Sequence, residues 1–143
     1  MVMVQPPIHA SCVSLYGHGV LIMGPSGAGK SDLALRLIDR GAQLVSDDYT
    51  LITRKAEQLM ASAPPTIAGK LEVRGLGIIS MGYINEAPIA LLIRLEITVE
   101  RHPMSRQIEI MEGLEVMVVP VVAHEASAPI KVELALKQAL NCL

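Results

Sequence analysis

Residues 20–48 read VLIMGPSGAGKSDLALRLIDRGAQLVSDD: an apolar run, a glycine-rich loop ending in Lys-Ser, a stretch of helical period, a second apolar run and two aspartates. Residues 20–23 are apolar throughout and too few for a helix, which predicts a buried strand. From Gly29 the period changes. Leu33, Ala34, Leu37 and Ile38 fall on one face and Asp32, Arg36, Asp39 and Arg40 on the other, with Asp32 and Arg36 spaced for an i,i+4 ion pair. Gly41 supplies a helix stop. Residues 43–46 predict a short strand that runs into Asp47-Asp48 and lies beside the loop-bearing one. Strand, loop, helix and strand in this order point to an α/β fold of the P-loop kind.

The loop itself, Gly24-Pro25-Ser26-Gly27-Ala28-Gly29-Lys30-Ser31, matches the Walker A pattern G-x-x-x-x-G-K-[ST]. Glycines at 24, 27 and 29 let the backbone come close to a ligand and turn successive N–H groups inward as an anion nest. The helix that follows aims its unsatisfied amides and positive dipole end at the same point. The implied ligand is a nucleoside triphosphate with magnesium, Lys30 neutralising the β and γ phosphates and the Ser31 hydroxyl ligating the metal. Consecutive residues at a strand end point to opposite sides, so at most one of Asp47 and Asp48 faces the γ phosphate, while the other binds water, metal or a backbone amide. A carboxylate so placed can take a proton from an attacking hydroxyl; a solvated turn is the competing reading.

Outward from this stretch, residues 8–15 (IHASCVSL) alternate and predict a strand, with His9 and Ser11 on one side, and Tyr16-Gly17-His18-Gly19 predicts a turn. Residues 1–7 read as a loose lead-in. Downstream, residues 49–53 are extended, residues 54–58 form a polar turn, and another short strand ends before Ala63-Pro64-Pro65. Residues 71–80 (LEVRGLGIIS) carry two glycines in a strand-like pattern, which predicts a bulge or close backbone approach. Residues 88–95 are the longest buried-strand candidate, residues 96–105 a polar loop or lid, residues 106–111 and 115–122 two further strands around Glu112-Gly113, and residues 129–143 a terminal helix.

The chain has 143 residues, enough for one domain with a sizeable core. Hydrophobic residues make up 51% and charged residues 18%, which excludes disorder, and with no Phe or Trp the core is expected from Leu, Ile, Val, Ala and Met. A net charge of −2 without any Lys/Arg run gives no general attraction to nucleic acid or an anionic membrane surface. The longest apolar runs fall well short of the roughly 18 residues of a membrane span. The reading is therefore cytoplasmic, with Cys12 and Cys142 as reduced thiols.

Three motifs in order, GVLIMGPSGAGKSDLALRLIDRG, LVSDD and LEVRGLGII, resemble the catalytic C-terminal domain of the HPr serine kinase/phosphorylase family, in its short proteobacterial form. The resemblance covers residues 8–79 and thins beyond them. It implies a P-loop fold related to phosphoenolpyruvate carboxykinase, with a mixed sheet and flanking helices over one kinase domain, 1–143. The activity implied is ATP-dependent phosphorylation of a serine on an HPr-like phosphocarrier protein of the phosphotransferase system, with removal of that phosphate by phosphorolysis. Carried over residue by residue, Asp47 is the general base, His9 sits near it, Glu72 completes the magnesium site with Ser31, Asp48 assists through water, and Arg101 handles phosphate. Arg74-Gly75-Leu76-Gly77 resembles a segment that shapes the site and subunit contacts, and a homo-hexamer is implied. His18, His102 and His124 read as turn or loop residues. A non-catalytic ATP-binding regulatory module and a small-molecule kinase are the competing functions.

Overall fold

The computed structural model describes residues 6–103 and 105–141. Most of the expected lead-in, Cys142 and the last residue of the expected terminal helix lie outside them. The described residues form β1 (Ala10–Leu15), β2 (His18–Met23), α1 (Lys30–Asp39), β3 (Gln43–Ser46), β4 (Leu51–Lys55), β5 (Gln58–Ser62), β6 (Lys70–Val73), β7 (Gly77–Ser80), β8 (Ala87–Leu95), β9 (Gln107–Met111), β10 (Leu114–Val121) and α2 (Ala128–Ala139). One mixed sheet runs in the order β3-β1-β2-β8-β10-β9, with β5 joined to the start of β8 and β4 to β5; β6 and β7 make a separate ribbon.

The turn expected over residues 16–19 is shorter. Tyr16 and Gly17, at φ 52 and 81, form a two-residue connection whose twist matches the flanking strands. Pairing of Leu15 with His18 and Ser14 with Gly19 then takes His18 and Gly19 into β2. This hairpin corrects a second expectation: β1 occupies the flank of β2, so β3 pairs with β1 and is one strand removed from the P-loop strand. Because β3 is antiparallel to β1 and β1 to β2, β3 and β2 point the same way. β8 is parallel to β2 and β10 to β8, so all four strands end at one edge of the sheet. Residues 71–80 form a hairpin around Arg74-Gly75-Leu76, in place of one bulged strand.

Alternation along the strands sorts the core into two faces. Val13, Val20, Ile22, Leu91, Ile93 and Val121 face Leu33, Ala34 and Leu37 of α1 and Val132, Ala135 and Leu136 of α2. The opposite neighbours Ala10, Cys12, Leu21, Val45, Leu92, Val116 and Val118 pack under Leu59 and Ala61 of β5. Both helices thus cover one face and the β4–β5 hairpin covers part of the other. Met23, Met81, Met111 and Met117 pack against these clusters as partly buried neighbours, so the fully buried interior is aliphatic. Burial pushes the Cys12 thiol up to about 12, which leaves it protonated and unreactive.

α1 ends as the sequence signals. Gly41, at φ 110, donates to the Ile38 carbonyl at 3.0 Å, and Ala42 donates to Leu37 at 3.0 Å. The Asp32–Arg36 pair forms at 3.1 Å, and Arg40 makes a two-pronged contact with Glu133 that joins α1 to α2. Leu33 has no solvent exposure and sits between the helix and the sheet. Leu33→Ala is expected to lower unfolding free energy by about 2–5 kcal/mol through lost burial and an unfilled cavity, read as a lower urea midpoint at unchanged slope.

Candidate functional site

The chain leaves β2 at Met23 and turns through the phosphate loop into α1. Gly29 is the N-cap residue at φ 104, a left-handed conformation that a side chain would strain. A Cβ added there would also stand 3.2 Å from the Ala123 Cβ. Lys30 is nearly buried, and its ammonium donates to the carbonyls of Gly24 at 2.8 Å and Pro25 at 3.2 Å, bridging the mouth of the loop. The first helical amides, beginning at Lys30, open onto the same space.

The two aspartates follow the end of β3 and have different partners. Asp47 is 6% exposed. Its Oδ1 accepts from Ser11 Oγ at 2.8 Å and from Ser31 Oγ at 2.7 Å, and its Oδ2 accepts from the Glu72 backbone N–H at 3.0 Å. Asp48 is at φ 68, a left-handed conformation that aspartate tolerates better than most residues. Its N–H donates to Ser11 Oγ at 3.1 Å, and its Oδ1 lies 2.8 Å from His9 Nε2. The meeting of His9 and Asp48 is built by backbone: Ile8 and Thr50 exchange hydrogen bonds at 2.9 and 3.0 Å, and the Thr50 hydroxyl donates to Ala10 at 2.7 Å. The Tyr49 ring lies 5.2 Å from that of His9.

A cleft of about 1180 Å³ is lined by the phosphate loop, Asp48 and Glu72. Residues 25–31 form its floor. Asp48, Glu72, Val73 and Arg74 form one wall, and Leu95, Glu96, Ile97, Ala123 and His124 are on the other side. The β6–β7 ribbon is fixed here by the fully buried Leu71 and by the Glu72 amide on Asp47, so the exposed Glu72 side chain is carried on a tethered strand. The sequence expectation set Asp47 at the attacking hydroxyl and Asp48 beside the metal. Asp47 is nearly buried and accepts from Ser31, whereas Asp48 lines the cleft with its Oδ1 2.8 Å from His9 Nε2. Arg101 is exposed on the loop after β8 and does not line the cleft.

Three participants escaped the sequence reading. Ser11 bridges both aspartates; its signal was its position two residues beyond His9 on the same strand face. Ile97 and His124 looked like loop residues, and their placement depends on where β8 and β10 end relative to β2.

A magnesium ion suits the oxygen donors present. Ser31 donates its hydroxyl hydrogen bond to Asp47, which leaves its lone pairs for a cation, and Glu72 and Asp48 bring carboxylates to the same cleft. Among the described residues no three His, Cys, Asp or Glu side chains converge as a metal cage. Magnesium on a phosphate substrate needs only one or two protein oxygens besides phosphate and water.

The model of the "HPr Serine kinase C-terminal domain" family matches residues 2–124. An HPr kinase/phosphorylase of Chloroherpeton thalassium is 53% identical over 74 residues, 51% of this chain and 22% of that protein. One from Lacticaseibacillus casei is 42% identical over 97 residues, 62% of this chain and 30% of that protein. The chain thus spans less than a third of these curated relatives. A solved structure, the Hpr(Ser) kinase/phosphatase from Coxiella burnetii, superposes with a TM-score of 0.83 at 29% identity, over 96% of this chain and 98% of that one. The phosphate loop, the aspartate pair and the Glu72 hairpin all lie inside the matched span, and the chain belongs to the HPr serine kinase C-terminal domain family.

Proposed function

We propose that this chain is an ATP- and magnesium-dependent protein serine kinase, a single P-loop domain of the cytoplasm that acts on an HPr-like phosphocarrier and, in reverse, removes the phosphate by phosphorolysis. The observation that carries the reading is the Asp48 carboxylate, held by His9 at 2.8 Å, on the wall of the cleft whose floor is the phosphate loop. His9 engages Oδ1, and the other carboxylate oxygen is the one a serine hydroxyl would meet. Asp48 takes the hydroxyl proton as the oxygen attacks the γ phosphate, and returns it in the reverse direction. We therefore assign the base to Asp48. Asp47 orients Ser31 and ties the Glu72 strand to the loop.

Lys30 and the loop amides stabilise charge on the transferring group. Ser31 and Glu72 would hold magnesium, which when bound neutralises charge on the phosphate oxygens. Arg101 reaches phosphate only if its loop moves toward the cleft. Leu76 and Ile78, exposed on the β6–β7 hairpin, offer apolar surface for the homo-hexamer that the family resemblance implies.

Incubation with γ-labelled ATP, magnesium and an HPr-like carrier is expected to place label on a carrier serine, and added inorganic phosphate to remove it. Nucleotide binding without label on the carrier would favour a regulatory module. Turnover of ATP with a metabolite alone would favour a small-molecule kinase.

A further inference from the structure

The phosphate end of the cleft is marked by Lys30 and Ser31, and the acceptor end by Asp48 and Glu72 on the β3 and β6 side. β8 and β10 run parallel to β2, so their loops emerge at the same sheet edge on the opposite side of the phosphate loop. Those loops present Ile97 and His124 to the cleft. The Glu96 amide donates to Val121 at 3.0 Å, joining the two loops. The Arg36 guanidinium donates to the carbonyls of Ala123 and, at 3.2 Å, Glu125, so the backbone on either side of His124 is pinned to α1.

Among the described residues His124 carries the one aromatic ring on the cleft lining, in a chain without Phe or Trp. Ile97 is 89% exposed, an apolar side chain left in water at the cleft mouth. Polar groups described on this side are few. Arg36 is committed to two carbonyls and Asp32, and Glu96 is exposed, offering an acceptor to the exocyclic amine of adenine and guanine alike.

We infer that His124 and Ile97 form the seat of the nucleoside base, which is held by its ring face with little reading of its edge, so that the site takes ATP and GTP nearly equally. This rests on the nucleotide-binding part of the function proposed above. A ring face is common to every base, whereas discrimination needs buried, fixed hydrogen-bonding groups. The seat also gives α1 a double role, since Arg36 holds the His124 backbone while the start of the same helix holds the phosphates.

The test compares binding of magnesium ATP, magnesium GTP and inorganic tripolyphosphate to the full chain by titration calorimetry. Wild type is expected to bind ATP and GTP within about threefold of each other, and both at least about tenfold tighter than tripolyphosphate. His124→Ala is expected to weaken both nucleotides by about five- to tenfold and leave tripolyphosphate unchanged, with His124→Phe restoring the nucleotides. An unchanged ATP affinity in His124→Ala, an equal loss of tripolyphosphate, or a preference between ATP and GTP beyond about tenfold would overturn the inference. Failure of the kinase reading looks different: the nucleotide pattern holds while no label reaches any carrier. If wild type binds neither nucleotide nor tripolyphosphate, both fall together.

Discussion

An Asp48→Asn chain is expected to bind magnesium ATP within about threefold of wild type and to phosphorylate its carrier about 10²- to 10⁴-fold more slowly. Asparagine keeps the size of the side chain, tolerates the left-handed backbone at φ 68 and can still accept from His9, so the fold and the phosphate loop are undisturbed. What it loses is the ability to take a proton. The Asp48 side chain is 51% exposed, so the change in unfolding free energy should stay within about 0.5 kcal/mol. Measuring nucleotide affinity, transfer rate and urea midpoint on one preparation separates the chemistry from the folding. Transfer at the wild-type rate would remove Asp48 from the role of base.

Asp47→Ala is expected to behave differently, by losing stability as well as activity. The Ser11 hydroxyl, the Ser31 hydroxyl and the Glu72 amide all donate to this nearly buried carboxylate. Alanine leaves three donors without their acceptor, at a combined cost of about 2–4 kcal/mol, visible as a lower urea midpoint. It also releases the β6 strand from the loop and lets Ser31 rotate, so nucleotide affinity in magnesium should fall. Asp47→Asn is the milder control, since its amide oxygen can serve the Glu72 N–H while the serine hydroxyls turn to accept from its NH2 group. If Asp47→Asn proved as slow in transfer as Asp48→Asn with full nucleotide affinity, the two carboxylates would have to exchange roles again.

The comparison of these two residues shows where sequence reading stops. Strand alternation would set the two on opposite sides, but Asp48 at φ 68 leaves that geometry, and the carboxylates meet Ser11 and His9 at one end of β1. Which of them enters the cleft depends on what stands beside the end of β3, and that is β1, bringing His9 and Ser11 from 36 to 39 residues away. The expectation that β3 would adjoin the P-loop strand failed because a two-residue turn sent β1 back along β2 and filled that position. The strand-like reading of residues 71–80 failed for a related reason: two glycines at positive φ, Gly75 and Gly77, can serve a bulge or a tight hairpin, and only the partner strand decides.

By itself the sequence determined the local units of this protein. Val20–Ser31 can hardly be anything but a strand running into a phosphate loop and a helix start, because spacing, glycine freedom and helix-end amides act over a few residues. The buried face of α1, its stop at Gly41 and the aliphatic core are equally local consequences of period and composition. Tertiary structure alone decided the assembly of the cleft: Asp48 with His9, Asp47 with Ser31, Glu72 tethered by its amide, and Ile97 and His124 on the side of β8 and β10. Those contacts join residues distant in the chain through strand order, and strand order is set by the packing of whole elements, which no single stretch encodes.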